Sequence, residues 1–331
     1  MAGKLYLCAT PIGNLEDMTY RVVRTLKEVD LIGAEDTRNS IKLLNHFDID
    51  TPMQSYHEFN KYDKAKELVQ MMIDGKNIAL ITDAGTPGIS DPGEELVKEC
   101  LENGIEVTSL PGASACINAL AISGLSTQRF CFEAFLPKDK KKREKVKKQL
   151  QNETRTIIIY EAPHRLAKTL KELEEALGNR RISICRELTK KYEESFLTTL
   201  KDAVKKYESE EPRGEFVLVI EGKSDEELDE EERQKWEDIS LEDHMKIYLE
   251  QGLDKKAAMK KLTGNGYKLW EYLYSWAGKG EFDLSPKKVT EEIGISDRGI
   301  RNARQELEQF GCLSLAENKK NVYIFTPESI L

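Results

Sequence analysis

Short apolar runs alternate with helical periodicity through the first half of the chain. Lys4 to Ala9, Asp30 to Ala34, Asn77 to Thr82 and Ile105 to Ser109 read as strands, while Thr19 to Glu28, Thr37 to His46, Tyr62 to Asp74 and Pro92 to Asn103 carry apolar residues at helical intervals. Alternation of this kind predicts a parallel sheet covered by helices on both faces. A second series follows, with strands at Phe130 to Phe135, Arg155 to Tyr160, Arg181 to Arg186, Ser195 to Leu200 and Glu215 to Ile220 and helices near Ala113 to Ser123, Arg165 to Leu177 and Lys201 to Tyr207. The last of these strands are too closely spaced for helical crossovers alone, so mixed pairing is expected.

The pattern changes after residue 223. Ser224 to Asp238 holds nine acidic and two basic residues, a net of −7 over fifteen positions, the composition of a solvated linker. Beyond it, residues 239 to 331 balance 14 basic against 14 acidic residues and turn helical. Leu269 to Ala277 is aromatic-rich, Ser285 and Pro286 open a helix that Gly294 closes, and Ser296 caps another over Asp297 to Phe310. Cys312 to Leu315 and Val322 to Phe325 flank Glu317-Asn318-Lys319-Lys320 as a hairpin. The expected organisation is therefore an α/β domain over 1–112, a second α/β domain over 113–223, an acidic linker over 224–238, and a helical, winged-helix-like module over 239–331.

Composition narrows the partners. The chain has 331 residues, 39% of them hydrophobic and 33% charged, with a formal net charge of −9. A chain of that charge repels phosphate backbones as a whole, so any nucleic-acid site must be a local basic patch. Its six cysteines show no C-x-x-C spacing and mostly sit inside apolar runs, which implies reduced, buried thiols, no zinc site and a cytoplasmic location. No apolar stretch approaches the roughly 20 residues of a membrane span.

In a doubly wound sheet ligands bind beyond the carboxyl ends of the strands. After the first strand comes Thr10-Pro11-Ile12-Gly13-Asn14-Leu15, and after the second Glu35-Asp36-Thr37-Arg38. Asp83 to Gly93 then packs three glycines and two prolines into eleven residues, and Leu110-Pro111-Gly112-Ala113-Ser114-Ala115 follows the last strand of the set. Glycines let the backbone approach a ligand closely, and Asp83 at a strand terminus suits an amine or ribose hydroxyls. The plain alternatives are an elaborate turn at Asp83 and ordinary helix capping at Asp36 and Ser114. Neither G-x-G-x-x-G with its acidic partner nor G-x-x-x-x-G-K-S/T is present, which argues against NAD and ATP. In the second series, Tyr160-Glu161-Ala162-Pro163-His164-Arg165 ends a strand as Asp83 does, and Arg213-Gly214-Glu215-Phe216 precedes the last one.

Lys138 to Lys148 carries eight basic and two acidic residues, a net of +6 over eleven positions. A solvated helix face is its ordinary reading. It is also the stretch of the α/β body best suited to a phosphate backbone, through Lys138, Lys140, Lys141, Lys142, Arg143, Lys145, Lys147 and Lys148, with Phe130, Phe132 and Phe135 nearby as rings for stacking or for the core.

Taken in order, Ala9 to Leu15, Glu35 to Arg38, Asp83 to Gly88, Leu110 to Ala115 and Tyr160 to Arg165 resemble the ribosomal RNA small subunit methyltransferase I family, of the tetrapyrrole methylase superfamily. The resemblance runs from about residue 3 to 261, roughly 78% of the chain. It implies S-adenosylmethionine-dependent methylation of a cytidine ribose 2′-hydroxyl in the decoding region of 16S rRNA, by a homodimer holding the cofactor between two α/β domains. It implies, too, that Pro11, Asp83, Gly85, Thr86, Ser114, Ala115, Tyr160, Glu161, Gly214 and Glu215 surround the cofactor. Glu35, Asp36, Arg38, Glu161 and His164 then form the polar set expected at the target ribose. Two departures stand out. The corrin and sirohaem methylases carry G-x-G-P-G after the first strand where this chain has Ala9-Thr10-Pro11-Ile12-Gly13, and the family ends in a short helical tail where this chain continues for seventy residues. The competing readings are a tetrapyrrole-type small-molecule methyltransferase and a DNA-binding regulator working through the C-terminal module.

Overall fold

A computed structural model describes residues 2–228, 250, 252, 272–273, 281–283, 289, 297–309, 313–316 and 322–325. The chain divides into two compact units, Met1–Ser224 and Asp225–Leu331.

The first unit begins as the strand and helix alternation predicts. β1 (Lys4–Cys8), α1 (Tyr20–Glu28), β2 (Leu31–Ala34), α2 (Thr37–His46), β3 (Met53–Ser55), α3 (Lys61–Ile73), β4 (Ile78–Ile81), α4 (Gly93–Glu102) and β5 (Glu106–Leu110) build a sheet of order β3-β2-β4-β1-β5, parallel throughout. Alternate strand residues feed two cores. Leu5, Leu7, Ile78 and Leu80 pack with Leu68, Met72 and Leu96 on one face, and Cys8, Ile32, Ala79 and Ile81 pack with Val22, Leu26 and Leu44 on the other. Burial on both faces explains why these strands read as unbroken apolar runs. β3 escapes that reading because Met53, Gln54 and Ser55 are only half-buried at the sheet edge and follow Pro52.

α5 (Ala115–Ile122) opens the second layer. β6 (Phe130–Phe135), α6 (Lys140–Leu150), β7 (Thr156–Glu161), α7 (Pro163–Leu177), β8 (Arg181–Arg186), β9 (Glu194–Thr199), α8 (Leu200–Ser209) and β10 (Phe216–Ile220) follow. The sheet order is β6-β7-β10-β8-β9, with β6 and β7 parallel and the remaining pairs antiparallel, the mixed arrangement expected from strand spacing. Ile157, Ile159, Ile184 and Leu218 face α6, α7 and α8, while Ile158, Cys185, Val217 and Val219 face α5. Ile12, from the loop after β1, is buried in that second core beside Cys116, Leu188 and Val217, so one loop of the first sheet forms part of the interior of the second. Apolar burial of a residue such as Ile12 contributes about 1.5–3 kcal/mol.

Cys8, Cys100, Cys116 and Cys185 are buried free thiols and Cys131 is half-buried, while Cys312 lies outside the described residues. Burial pushes the Cys8 thiol up to about 12 and that of Cys131 to about 11. Among the described residues no helix is long and apolar enough to cross a membrane.

In the second unit the described elements are β11 (Glu281–Asp283), α9 (Asp297–Gln309), β12 (Leu313–Leu315) and β13 (Val322–Phe325), with the antiparallel order β11-β13-β12. The sequence pattern contained the hairpin and α9 but not β11. The helices expected over 269–277 and from Ser285, and the linker beyond residue 228, lie outside the described residues apart from Tyr272, Leu273 and Val289. Arg304 on α9 is half-buried against β13. Its guanidinium lies 5.5 Å from the centre of the Tyr323 ring and pairs with Glu308 at 3.6 Å.

Candidate functional site

Three loops meet at the carboxyl end of the first sheet, where β1 lies between β4 and β5. Thr10 and Gly85 exchange both backbone hydrogen bonds, and the Thr10 hydroxyl donates to the Thr82 carbonyl at 3.0 Å. The Thr86 hydroxyl donates to the Ala113 carbonyl at 3.1 Å, tying in the loop after β5. Gly112 approaches Ala9 so closely that a Cβ there would stand 2.6 Å from the Ala9 methyl. Gly85 itself has φ +90°, a backbone that glycine adopts without strain. The rest of the loop is held by Asp91, whose carboxylate accepts from the backbone N–H groups of Gly88 at 2.9 Å and Gly93 at 2.7 Å. Asp91 therefore serves the loop's own shape, while Asp83 is left exposed at the strand end.

The polar groups at the ends of β2 and β4 are neighbours because the two strands are paired. Thr82 donates to the Glu35 carboxylate at 2.6 Å. Asp36 caps α2 through the Arg38 N–H and receives the Arg38 guanidinium in two hydrogen bonds, at 3.0 and 2.7 Å. That pairing holds the Asp36 carboxyl at about 2, well below the usual aspartate. Asp83 moves the other way: its partial burial first, and then the facing Glu35 charge, push its carboxyl up from the ordinary 3.8. A carboxylate poised between exposure and like-charge repulsion is well placed to receive an amine or hydroxyl donors.

The second layer brings Tyr160 to the same region. Its hydroxyl accepts from the Cys116 N–H at 3.0 Å at the start of α5, beside Ser114 and Ala115, and burial pushes the phenol up. Phe132 and Phe135 contact its ring edge-on, at 4.9 and 5.8 Å between centroids. A bulge between Phe132 and Phe135, with Ala134 at φ +51°, turns Phe135 outward, where it is 52% exposed.

Glu161 sits differently from the open-cleft position expected of it. Its side chain is fully buried, accepting from the Ala162 N–H at 2.9 Å and the Thr169 hydroxyl at 2.6 Å and pairing with Arg165 at 3.3 Å. Arg143 donates to the same Thr169 hydroxyl at 2.7 Å and pairs with Glu172 at 2.5 Å. Arg143 and Lys147 are therefore buried in ion pairs, because they lie on the face of α6 that meets α7. Of the eight basic residues in the run, Lys138, Lys140, Lys141, Lys142, Lys145 and Lys148 are exposed. His164 is exposed at the start of α7.

Gly214 and Glu215 join a turn that the strand pattern passed over, Glu187 to Lys190 after β8. The Glu187 carboxylate accepts from the Glu215 N–H at 2.9 Å, and a Cβ on Gly214 would stand 2.5 Å from Glu187. Lys190 donates to Glu187 and Glu215, both at 2.9 Å, with its stem against Gly13 of the first loop. The available signal was the one that marked Asp83 and Glu161, charged residues directly after a strand. No group of three or more His, Cys, Asp or Glu suited to a metal ion occurs among the described residues.

Comparison with known proteins adds to this geometry. The family described as tetrapyrrole (corrin/porphyrin) methylases matches residues 4–204. A protein named ribosomal RNA small subunit methyltransferase I from Halalkalibacterium halodurans is 49% identical over 261 residues, which cover 79% of this chain and 90% of the relative. Proteins of the same name from Bacillus subtilis and Thermotoga maritima are 49% and 45% identical over 259 and 221 residues, covering 78% and 67% of this chain and 88% and 99% of theirs. Among solved structures, a diphthine synthase superposes with a TM-score of 0.52 at 12% identity, covering 66% of this chain and 90% of that one. The methyltransferase CobJ superposes with a TM-score of 0.51 at 19% identity, covering 67% and 95%. The two structures share the fold.

Proposed function

The chain belongs to the ribosomal RNA small subunit methyltransferase I family, within the tetrapyrrole methylases, and from that premise we propose that it methylates the ribose 2′-oxygen of a cytidine in the decoding region of 16S rRNA. The observation that carries the reading is the 49% identity over 261 residues with a relative of that name, which covers 79% of this chain and 90% of the relative. The methyl donor is S-adenosylmethionine, whose sulfonium supplies an already activated methyl group.

The residues present fit that donor. Gly85 and Gly112 let the three loops close on one another, Asp83 offers a carboxylate to the amino group or ribose hydroxyls, and Tyr160 walls the side nearest α5. Pro11, Thr86, Ser114, Ala115, Gly214 and Glu215 complete the proposed surround. What the protein must add is alignment of the accepting oxygen and an exit for its proton, and alignment in such transfers is worth several kcal/mol of barrier. Glu35, Asp36, Arg38 and His164 are the polar groups proposed for the RNA side. Glu161, bound as it is to Thr169 and Arg165, acts in this reading by fixing the start of α7 rather than by touching the ribose.

The six exposed lysines of Lys138 to Lys148 form the proposed contact with rRNA phosphates, and the outward ring of Phe135 the proposed stacking surface. The enzyme is proposed to act in the cytoplasm as a homodimer, with the second unit as an auxiliary nucleic-acid or protein contact. Incubating the full chain with labelled S-adenosylmethionine and small subunits tests the reading. Label should enter 16S rRNA in an alkali-resistant dinucleotide containing cytidine, and label confined to a base or to small molecules would refute it.

A further inference from the structure

Exposed aromatic rings are unevenly spread over the first unit. Among the described side chains of Phe and Tyr, those of Tyr20, Phe59, Tyr62, Phe130, Phe135 and Tyr192 are exposed. All but Phe130 lie at or beyond the carboxyl end of a strand: Tyr20 opens α1 after β1, Phe59 and Tyr62 follow β3, Phe135 ends β6 and Tyr192 follows β8. Apolar residues scattered singly over a surface need no explanation, but rings gathered at the strand ends that carry the candidate site do. Phe59 is held out on a fixed turn. The His57 N–H donates to Asn60 Oδ1 at 2.8 Å, the Asn60 N–H donates back to the His57 carbonyl at 3.0 Å, and the Asn60 side-chain amide donates to the Ser55 carbonyl at 3.2 Å. Tyr56, fully buried, ties the base of the turn to the loop after β4 by donating to the Pro92 carbonyl at 3.0 Å. At the tip the Phe59 ring is 96% exposed, its edge 6.0 Å from the His57 ring between centroids. A ring that buries almost nothing adds almost nothing to folding, while a turn already fixed spares a bound partner the cost of ordering it.

We infer that Phe59 and Tyr62 form a second RNA contact of the proposed methyltransferase, separate from the exposed lysines between 138 and 148, on which an unpaired base flanking the target nucleotide stacks. β3 pairs with β2, whose end carries Glu35, Asp36 and Arg38, and β2 pairs with β4, whose end carries Asp83. At about 4.8 Å per strand, β3 lies about 10 Å from β4, which sets Phe59 beside the crevice and not in it. The neighbouring charges select the ligand. Phe59 is flanked by Glu58, Asn60 and Lys61, so its ring stands among polar neighbours and not in the continuous apolar face that a protein partner would cover. Lys61 pairs with Glu58 at 2.8 Å while its ammonium lies 5.3 Å from the centre of the Tyr62 ring. An ammonium already neutralised is ill suited to a phosphate. The flat rings beside it suit the faces of bases, which stack on aromatic side chains whatever the sequence. Lys191 lies over Tyr192 at 5.6 Å and repeats the pairing at the end of the second sheet.

This inference rests on the rRNA methyltransferase reading, and the wild-type chain tests that reading in the same assay. Phe59→Ala, Phe59→Tyr and Phe59→Leu, made in the full chain, are compared by small-subunit binding over a salt series and by methylation kinetics. Loss of one base–aromatic stack weakens binding by about fivefold to a hundredfold. Phe59→Ala should lose affinity on that scale, as a raised KM with kcat largely kept, while the slope of log affinity against log salt stays that of the wild type because no phosphate contact has gone. Phe59→Tyr should bind as the wild type does, and Phe59→Leu, apolar but without a π face, should bind like Phe59→Ala. Replacing Phe59 with the photoreactive p-benzoylphenylalanine and irradiating the complex identifies what the position touches, and crosslinks should fall on 16S rRNA. Unchanged affinity in Phe59→Ala, full affinity in Phe59→Leu, or crosslinks confined to a ribosomal protein would overturn the inference and leave the methyltransferase reading standing. A wild-type chain that methylates no RNA would overturn both.

Discussion

Thr10 and Gly85 form a two-hydrogen-bond latch, Thr10 N–H to the Gly85 carbonyl at 2.9 Å and Gly85 N–H to the Thr10 carbonyl at 3.1 Å. The latch fastens the loop after β1 to the loop after β4 and requires Gly85 to keep φ +90°. An alanine in that region costs about 1–2 kcal/mol. Gly85→Ala should therefore lower thermal stability by several degrees and weaken S-adenosylmethionine binding, read by calorimetry and a melting scan. Unchanged cofactor affinity would remove the latch from the binding site.

Asp83 gives a prediction in pH. Its carboxyl is raised above 3.8 by burial and by Glu35, so it takes up a proton earlier than an ordinary aspartate as pH falls. A raised carboxyl opposes folding where it is ionised, so its relative contribution to stability is present below 3.8 and lost as pH rises through the folded value. Cofactor affinity is expected to run in the opposite sense, since the ionised form is the one proposed to receive the cofactor's amino group or ribose hydroxyls. Affinity should decline on acidification, beginning above 3.8, and Asp83→Asn should abolish that dependence. Asp83→Ala should weaken binding by roughly one to two orders of magnitude, the loss of a charge-assisted contact.

The buried Glu161 predicts a stability defect. Removing one member of a buried ion pair costs about 3–5 kcal/mol, and Glu161→Ala would strand Arg165 and the Thr169 hydroxyl. Urea denaturation should show a loss of that size, with Arg143→Ala showing a smaller one through the shared Thr169. A stable Glu161→Ala variant that binds cofactor yet transfers no methyl would return the residue to the reacting centre.

The central strands β2, β4, β7, β8 and β10 were legible in the sequence because they are buried on two faces and read as apolar runs. Glu161, Arg143 and Lys147 were harder: a charged residue at a strand end or in a basic run reads as exposed, and only tertiary contacts with Thr169 and Glu172 show otherwise. β3 was hidden by its polar composition. The Glu187 to Lys190 turn was hidden because its importance lies in partners, Gly13 and Glu215, that are remote in sequence.

The exposed lysines predict a salt effect. Each phosphate contact contributes about 0.7–0.9 to the slope of log affinity against log salt. Reversing Lys140, Lys141, Lys145 and Lys148 should flatten the slope for small-subunit binding by roughly 3. Reversing Arg143 or Lys147 should instead destabilise the fold, since their charges are paired inside it. An unchanged slope would return the run to a solvated helix face.

Transfer of a labelled methyl group into small ribosomal subunits, followed by alkaline hydrolysis of the 16S rRNA, distinguishes ribose methylation from base methylation. Label is expected in a single alkali-resistant dinucleotide containing 2′-O-methylcytidine within the decoding region. Label on a nucleobase, on a ribose elsewhere in the subunit, or on a tetrapyrrole in place of RNA would contradict it.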